Sequence, residues 1–370
     1  MQKLIVKSRG RINLIGEHMD YNDGFVLPTA IDKAITLTFA KNDSEYNFEV
    51  FSKDLGKSFK ADLRKLEPQD SGWENYILGV IDGLQQRSDK LSGFNCSLES
   101  NIPIGSGVSS SAALECGIAL GLNEFFNLGL DPISLVKIGQ KAEHNYVGAQ
   151  CGIMDQFASV MSRVGHVILL DCRSLEYTYV PLELGEYCFL LVNSHVHHSL
   201  ASTEYNVRRQ QCAEAVAIIR KSYPEVGSLR DVTTTMLEQY KNVLTDTLYR
   251  RSKFVVEENQ RVLDAVAALS SVDLPNLGAL LYQSHTGLRD EYEVSCAEID
   301  FLVDFTRDYT GVLGSRIMGG GFGGCSLNLI HKDSISDLIN QLTPAYQKKF
   351  GKSLSWFVAQ PSGGTAVSWV

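Results

Sequence analysis

The sequence predicts an α+β protein, and three observations lead to that class. The first half of the 370-residue chain alternates strand-like segments with helical ones. The second half is mainly helical but keeps several short strand-like segments. Apolar residues make up 44% of the composition, enough to fill one or two buried cores. This mixture favours α+β over a doubly wound parallel sheet.

The strands of the first half are predicted from runs of β-branched and apolar residues. They cover 3–7, 11–15, 34–40, 165–171 and, with a weaker pattern, 46–52. A long apolar helix is predicted over 109–126. A second helix begins after Asp131, a good N-cap that Pro132 follows, and ends at Gly148.

The domain change is placed near Pro181, between the strand over 165–171 and a fully apolar strand over 187–193. This gives an N-terminal domain of residues 1–180 and a C-terminal domain of residues 181–370. The helices predicted in the second half cover 203–221, 251–270, 274–287, 297–308 and 333–349. Its further strands are predicted over 316–318, 325–330 and 355–359.

Charge and composition exclude several classes of function. The net charge of −9 and the lack of a basic stretch argue against nucleic-acid binding. No apolar run is long enough to span a bilayer or to form a signal peptide. The eight cysteines form no C-x-x-C pair, and His195, His197 and His198 lack a further ligand at zinc spacing. We therefore expect a cytoplasmic monomer with small-molecule partners, no nucleic acid and no membrane.

A glycine- and serine-rich loop precedes the first long helix, within Pro103–Leu114. Small residues let backbone N–H groups surround an anion, and a helix N-terminus adds unsatisfied donors. Hydroxyls there can also cap the helix or bind Mg²⁺. The pattern favours a phosphate site over a flexible loop with a serine cap. The candidate residues are Gly105, Ser106, Gly107, Val108, Ser109, Ser110 and Ser111.

The common nucleotide motifs are absent from the sequence. Gly-Lys-Ser at 56–58 and 351–353 lacks the first glycine of a P-loop. The G-x-G-x-x-G pattern over 319–324 precedes a strand-like segment rather than a helix, which argues against NAD binding. These glycines would let the backbone approach another loop or a ligand, but a tight turn without a ligand fits the same residues.

Two carboxylates follow the second helix signal. Glu143 lies near the end of that helix, and Asp155 lies in the first turn of a helix that starts at Met154. The helix dipole favours an ionised carboxylate there, which suits a base or a metal ligand. Acidic residues are common in first turns, so spacing alone favours a structural role for Asp155.

Polar residues also crowd the segment Gly10–Gly24, which joins two strand-like runs. Turn residues end the segment, but Glu17, His18, Asp20 and Tyr21 exceed what a turn needs. Carboxylates that accept hydrogen bonds from several hydroxyls are suited to a sugar site. The alternative is a surface hairpin with polar side chains.

Four segments together resemble the GHMP kinases and, within them, the galactokinase branch. They are Gly10–Gly24, Pro103–Leu114, Ala142–Phe157 and Met318–Cys325, supported by the run Ser202–Arg209. The segments follow the family's order and span most of the chain. The resemblance implies a ribosomal-S5-like N-terminal domain, a ferredoxin-like C-terminal domain and a site between them.

The resemblance implies ATP-dependent phosphorylation of D-galactose at the anomeric hydroxyl, giving α-D-galactose 1-phosphate and ADP. It assigns the ATP phosphates to the loop over 105–111, Mg²⁺ to Ser111 and Glu143, and the adenine side to Ser52. Asp155 would accept or orient the anomeric proton, and Arg11 would neutralise charge on the transferred group. The sugar contacts that it implies are Glu17, His18, Asp20, Gly152 and Tyr205.

Two departures from the family pattern bear on the substrate. Met19 stands where the family has threonine, which removes a hydroxyl beside the sugar contacts, and Ser8-Arg9 replaces Ala-Pro. The alternatives are a kinase for another sugar such as N-acetylgalactosamine or arabinose, a mevalonate or homoserine kinase, and a non-catalytic galactose sensor. The uninterrupted serines before Ala112 and the presence of Asp155 favour the enzyme over the sensor.

Overall fold

The computed structural model describes residues 2–70, 72–196 and 201–370, and it has the mixed architecture that the sequence predicts. The strands are β1 (Leu4–Asn13), β2 (Phe25–Val26), β3 (Pro28–Lys41), β4 (Asn47–Ser52), β5 (Lys57–Asp62), β6 (Phe94–Ser100), β7 (His166–Asp171), β8 (Tyr177–Pro181), β9 (Tyr187–Asn193), β10 (Val312–Ile317), β11 (Cys325–His331), β12 (Ser355–Ala359) and β13 (Ala366–Trp369). The helices are α1 (Glu74–Gln85), α2 (Ser110–Phe125), α3 (Pro132–Ala142), α4 (Met154–Met161), α5 (Ala201–Ile219), α6 (Thr234–Gln239), α7 (Asp246–Ser270), α8 (Leu274–Thr286), α9 (Ala297–Thr306) and α10 (Ile335–Phe350).

The strands form three sheets. A six-stranded sheet has the order β13-β1-β3-β6-β4-β5, and a four-stranded sheet has the order β10-β11-β9-β12. A small third sheet has the order β2-β7-β8. The last strand, β13, returns to pair antiparallel with β1, so the end of the chain joins the first sheet. The division after residue 180 stays a prediction.

Helix α2 packs directly on the first sheet because two of its glycines face large side chains. A Cβ on Gly117 would overlap the side chain of Leu37, and one on Gly121 would overlap the ring of Phe39. Leu37 and Phe39 are themselves fully buried in β3. The close packing fixes the N-terminus of α2 and therefore the loop before it.

Helix α3 begins as its sequence signals predict. The side chain of Asp131 accepts a hydrogen bond from the N–H of Ser134 at 3.0 Å, and Pro132 is its first residue. The helical path then widens into one π-turn over Glu143–Val147, which ends at Gly148 with φ of 83°. The wider turn begins at Glu143, one of the predicted metal ligands.

Strand β1 is continuous where two strands were predicted. Its pairing with β3 shifts between Arg9 and Arg11, which marks a bulge. Arg9 donates to the carbonyl of Asp32 at 3.2 Å, whereas the Arg11 side chain is 4% exposed. The bulge thus separates two arginines that stand two residues apart.

Several global expectations can be compared with the described residues. All eight cysteines are free thiols, as predicted. In the part of the chain that the structure describes, no helix combines the length and apolar character needed to cross a bilayer. His197 and His198, two of the three clustered histidines, lie outside the described residues.

Candidate active site

A cavity of about 300 Å³ brings together residues from both halves of the chain. Eight residues predicted from the sequence line it: Arg11, Glu17, His18, Asp20, Glu143, Gly152, Asp155 and Tyr205. Further lining residues are Ala149, Cys151, Met154, Gly319, Gly320 and Gly321. The three glycines belong to the G-x-G-x-x-G pattern of the sequence, whereas Ala149, Cys151 and Met154 are not among the predicted site residues.

An arginine–aspartate pair lies at the wall of this cavity. Nε and Nη2 of Arg11 each donate to one carboxylate oxygen of Asp155, both at 2.7 Å. Nη1 of Arg11 donates to the carbonyl of Gly107 at 2.8 Å. Arg11 is buried, whereas the Asp155 side chain is 27% exposed. The pair therefore ties β1, the first turn of α4 and the glycine–serine loop together, with the carboxylate facing the cavity.

The glycine–serine loop also engages this pair. Ser109 has φ of 56°, a left-handed conformation that is uncommon for serine, and its hydroxyl donates to Asp155. The hydroxyl of Ser106 instead donates within the loop, to the carbonyl of Pro103 at 2.7 Å. Gly107 and Ser110 are exposed, so the N-terminus of α2 stays accessible. An accessible helix N-terminus with this loop can hold a phosphate group.

The glycine-rich segment after β10 packs against the same loop. A Cβ on Gly319 would lie 3.3 Å from the carbonyl oxygen of Gly107, and one on Gly324 would lie 3.7 Å from that of Gly105. Gly320 lies beside the ring of Tyr205, with 3.4 Å between its Cβ position and Cδ2. The glycines therefore do let the backbone approach another loop closely, one of the two interpretations that the sequence left open.

Glu17 is anchored in the cavity wall by a buried arginine. Its Oε1 accepts from Nη2 of Arg316 and from the N–H of Gly319, both at 2.9 Å. Arg316 is fully buried and also donates to the carbonyl of Leu14 at 2.6 Å. Sequence reasoning missed Arg316, since a buried arginine in a strand has no distinguishing local pattern.

Asp20 and Gly152 are in direct contact. A Cβ on Gly152 would overlap Cγ of Asp20, so the position accepts only glycine while Asp20 keeps its place. Oδ1 of Asp20 accepts from the N–H of Tyr21 at 3.0 Å. Burial, and then the negative charge of Asp155, raises the pKa of Asp20 to about 7.

Glu143 is half-buried and shares a hydrogen-bond donor with the buried Glu115. Nε2 of Gln156 donates to an oxygen of Glu143 and to an oxygen of Glu115, both at 2.9 Å. Burial, and then the charge of Asp155, raises the pKa of Glu143 to about 7, and burial also raises the pKa of Glu115. Among the described residues, no three His, Cys, Asp or Glu side chains cluster as a metal site. A cation at Glu143 would need oxygen ligands of another kind, as Mg²⁺ often takes from phosphates.

His18 completes the polar wall as a neutral ring. Burial, and then the charge of Arg208, lowers its pKa to about 3. The centroid of its ring lies 5.3 Å from that of Tyr205. Since Glu17 and His18 are both buried and Asp20–Asn22 form a 3-10 turn, the alternative of a surface hairpin is wrong.

Ser52 and Met19 lie outside the cavity lining, as do the predicted loop residues over 105–111. Ser52 is buried at the end of β4, and its hydroxyl accepts from the N–H of Leu55 at 3.4 Å. Met19 is fully buried and packs against Gly24 in an apolar core cluster. Met19 therefore does not line the cavity, although its neighbours His18 and Asp20 do.

Family models match three parts of the chain. The GHMP kinases N terminal domain matches residues 75–163, the GHMP kinases C terminal model matches 265–348, and the galactokinase galactose-binding signature matches 2–41. Arg11, Glu17, His18 and Asp20 fall within the last of these. Ser52 and Tyr205 fall outside all three matched ranges.

Similar proteins extend over nearly the whole chain. A galactokinase of Thermotoga maritima is 43% identical over 97% of this chain and 98% of its own length. A galactokinase of Roseiflexus is 39% identical over 98% of this chain and 92% of its own length. A crystal structure of Lactococcus lactis galactokinase complexed with galactose superposes with a TM-score of 0.94 at 34% identity, covering 98% of this chain and 95% of that one. The chain therefore belongs to the galactokinase family of the GHMP kinases, with the α+β fold that its sequence predicted.

Proposed function

We propose that the chain transfers the terminal phosphoryl group of ATP to the anomeric hydroxyl of D-galactose, giving α-D-galactose 1-phosphate and ADP. The observation that carries this proposal is the pair of Arg11 and Asp155, which two hydrogen bonds join. The pair lies between the polar cavity and the loop before α2. Relatives named galactokinase at 43% identity, and the galactose complex of a structural neighbour, support the choice of sugar.

The transfer requires one bond to form and one to break. The anomeric oxygen bonds to phosphorus while the bond from phosphorus to the bridging oxygen of ADP breaks, and the hydroxyl proton passes to Asp155 or is oriented by it. Arg11 would neutralise negative charge that is shared during transfer. Its fixed bonds to Asp155 and to the Gly107 carbonyl hold it ready, so little reorganisation is needed at the moment of reaction.

The loop over Gly105–Ser111 would hold the ATP phosphates, with Ser111 and Glu143 as ligands of Mg²⁺. Ser111 and Glu115 are four residues apart in α2 and share one face of it. Glu115 is linked through Gln156 to Glu143, and this link supports the assignment of Ser111 and Glu143 to one cation. Bound Mg²⁺ would supply charge neutralisation among these acids. Ser52 is assigned to the adenine side by resemblance alone.

The sugar would be bound by Glu17, His18, Asp20, Gly152 and Tyr205. Galactose and glucose differ only in the direction of one hydroxyl, so fixed partners pair with one sugar and stay unpaired with the other. A buried polar group without a partner costs about 1–3 kcal/mol, which is enough for strong discrimination.

The direct test is a panel of sugars with Mg-ATP, in which ADP release is measured and the product position is identified by phosphorus NMR. We expect galactose to be turned over best, as its 1-phosphate, and glucose poorly. Turnover of a different sugar with inert galactose would replace the substrate and keep the family. Binding of galactose without any turnover would favour the sensor alternative.

We also place the protein in the cytoplasm as a monomer whose partners are galactose and ATP. This rests on the reduced cysteines and on the acidic net charge of −9. Sedimentation at several protein concentrations should give one species near 40.9 kDa, the mass of one chain. A concentration-dependent shift to twice that mass would reject the monomer.

A further inference from the structure

Behind the sugar end of the cavity lies a chain of hydrogen bonds that the proposed chemistry leaves without a role. Sγ of Cys212 lies 3.2 Å from the hydroxyl of Tyr292, which lies 2.8 Å from the hydroxyl of Tyr21. The hydroxyl of Tyr21 in turn lies 2.8 Å from Nδ1 of His18. Cys212, Tyr292 and His18 are all buried. The chain therefore connects the core of the second half to the cavity wall.

The free end of this chain is the other ring nitrogen of His18. Nε2 is buried and makes no hydrogen bond of good geometry within residues 2–70, 72–196 and 201–370, although the backbone of Gly320, which also lines the cavity, interacts with the His18 ring. His18 lines the cavity, has φ of 63°, and its carbonyl accepts from the side chain of Asn22 at 2.8 Å. A buried ring nitrogen without a well-formed hydrogen bond in a cavity wall is placed to meet a ligand.

The protons in this chain have two arrangements that leave no buried phenol proton without an acceptor. Burial raises the pKa of both Tyr21 and Tyr292 well above the usual value, so each phenol keeps its proton. A phenol has one proton to donate, and when both phenols donate it within the chain, every bond points the same way. Because His18 is neutral, Nδ1 is either the acceptor at one end or the donor that starts the chain.

The chemistry of the two ends selects between these arrangements. In one direction the thiol donates to Tyr292, which donates to Tyr21, which donates to Nδ1. In the reverse direction the last acceptor is the sulfur of Cys212. A neutral imidazole nitrogen is a stronger acceptor than a thiol sulfur, so a phenol proton donated to His18 makes a stronger hydrogen bond than one donated to Cys212. The first direction is therefore favoured, and it leaves the proton of His18 on Nε2.

We propose that the Cys212–Tyr292–Tyr21 chain fixes His18 in the Nε2–H form, so that His18 donates a hydrogen bond into the cavity and selects a substrate oxygen that can accept it. Tyr21 and Tyr292 are then positioning residues. They fix which nitrogen of His18 carries the proton, but they do not contact the substrate themselves. The identity of the acceptor as a sugar oxygen rests on the proposed function, whereas the proton position in the free protein does not.

The test is long-range nitrogen–proton NMR of the uniformly labelled, ligand-free protein, with the His18 signals assigned by their loss in His18→Gln. The proposal expects Nε2 in the protonated range and Nδ1 in the unprotonated range. Tyr21→Phe keeps the ring but removes the bond to Nδ1, so both signals should move toward each other. Tyr292→Phe should produce a smaller shift in the same direction.

The matched control is Tyr240→Phe, which removes a buried phenol outside the chain whose hydroxyl donates to the carbonyl of Ile219 at 3.4 Å. This variant should leave the His18 signals unchanged. A proton on Nδ1 in the unchanged protein would overturn the proposal, as would unchanged His18 signals in Tyr21→Phe.

A kinetic measurement separates positioning from a general loss of structure. Tyr21→Phe should raise KM for galactose about tenfold and leave kcat within about threefold, since a ground-state contact is weakened. An equal fall in kcat without a change in KM would contradict the assigned role. If galactose proves not to be the substrate, the NMR result still decides the proton position, so the two proposals can fail separately.

Discussion

Two arginine–aspartate pairs in this protein are each joined by two hydrogen bonds but lie in different surroundings. Arg11 binds both oxygens of Asp155 at 2.7 Å, and Arg230 binds both oxygens of Asp171 at 3.0 and 3.1 Å. Arg230 also packs over the ring of Phe25, 3.9 Å from its centroid. Asp155 instead faces a cavity lined by further carboxylates. The same pair is thus a clamp in one place and part of a polar cavity in the other.

The pKa values of the carboxylates shift in opposite directions in the two regions. Although burial raises it, hydrogen bonds from Arg230 and from backbone N–H groups lower the pKa of Asp171 below its usual value. Burial and neighbouring charge raise the pKa of Asp20 and of Glu143. The clamp therefore stabilises the fold, whereas the cavity acids destabilise it until a ligand supplies hydrogen bonds or positive charge.

The largest expected effect separates the two aspartates directly. Asp155→Asn keeps the shape but removes the proton acceptor, so turnover should fall about 10²–10⁴-fold while sugar affinity changes little. Asp171→Asn makes the same change in the clamp and should leave turnover unchanged. Steady-state kinetics and calorimetric sugar binding on both variants check this. Near-normal turnover in Asp155→Asn would leave Arg11 as the main catalytic group.

The next effect concerns the space beside Asp20. Gly152→Ala places a methyl group where Cγ of Asp20 lies, so one of the two must move. A strained contact of this kind costs about 1–3 kcal/mol, which corresponds to roughly 5- to 150-fold weaker sugar binding. Gly227→Ala is the control, since the nearest atom to its Cβ would be an oxygen of Asp231 at 3.4 Å. Equal sugar affinities in the two variants would argue against a sugar beside Asp20.

A third effect tests the acids that share Gln156. Glu143→Gln removes a charge from a proposed Mg²⁺ ligand and should raise the Mg²⁺ concentration needed for half-maximal activity by about tenfold. Glu115→Gln makes the same change in the other glutamate whose carboxylate accepts a hydrogen bond from Gln156. Burial already favours the neutral form of Glu115. The Mg²⁺ concentration that Glu115→Gln needs for half-maximal activity should therefore equal that of the unchanged protein. Equal shifts in both variants would remove the distinction between the two acids.

The smallest effects are changes in stability, and their signs should be opposite. The raised pKa of Asp20, about 7, means that the folded state holds an extra proton between about pH 4 and pH 7. Stability from this group therefore falls as pH rises through that range, and Asp20→Asn should stabilise the ligand-free protein at pH 8 by about 1–3 kcal/mol.

The clamp should behave in the other way. The lowered pKa of Asp171 contributes stability above about pH 4 that is lost as pH falls further. Asp171→Asn should therefore destabilise the protein at pH 8 by about 1–3 kcal/mol. Denaturant unfolding at pH 5 and pH 8 measures both variants. The same sign of change in the two would refute the comparison.

Local signals made part of this structure predictable. Helix α3 carries its own start signal in Asp131 and Pro132, and both act as predicted. Helix α1 was not predicted, and Trp73 before it makes no side-chain cap. The strands β5 and β6 were likewise missed. Where a cap or a clear periodicity is lacking, tertiary packing decides the element and the local sequence does not report it.

The candidate site depended on contacts that no local pattern contains. Arg11 and Asp155 are 144 residues apart, and spacing alone favoured a structural role for the aspartate. Arg316 reaches Glu17 from 299 residues away and was not predicted at all. The family resemblance supplied eight of the residues that line the cavity, whereas the hydrogen bonds that hold them required the fold.

The most direct test of the central claim is a crystal structure with galactose and a non-hydrolysable ATP analogue. We predict that an oxygen of Asp155 lies within hydrogen-bond distance of the anomeric hydroxyl, and that the guanidinium of Arg11 lies on the side of the terminal phosphate. Asp171 should keep both bonds to Arg230 without contact to either ligand. A sugar bound with its anomeric hydroxyl away from Asp155 would contradict the account.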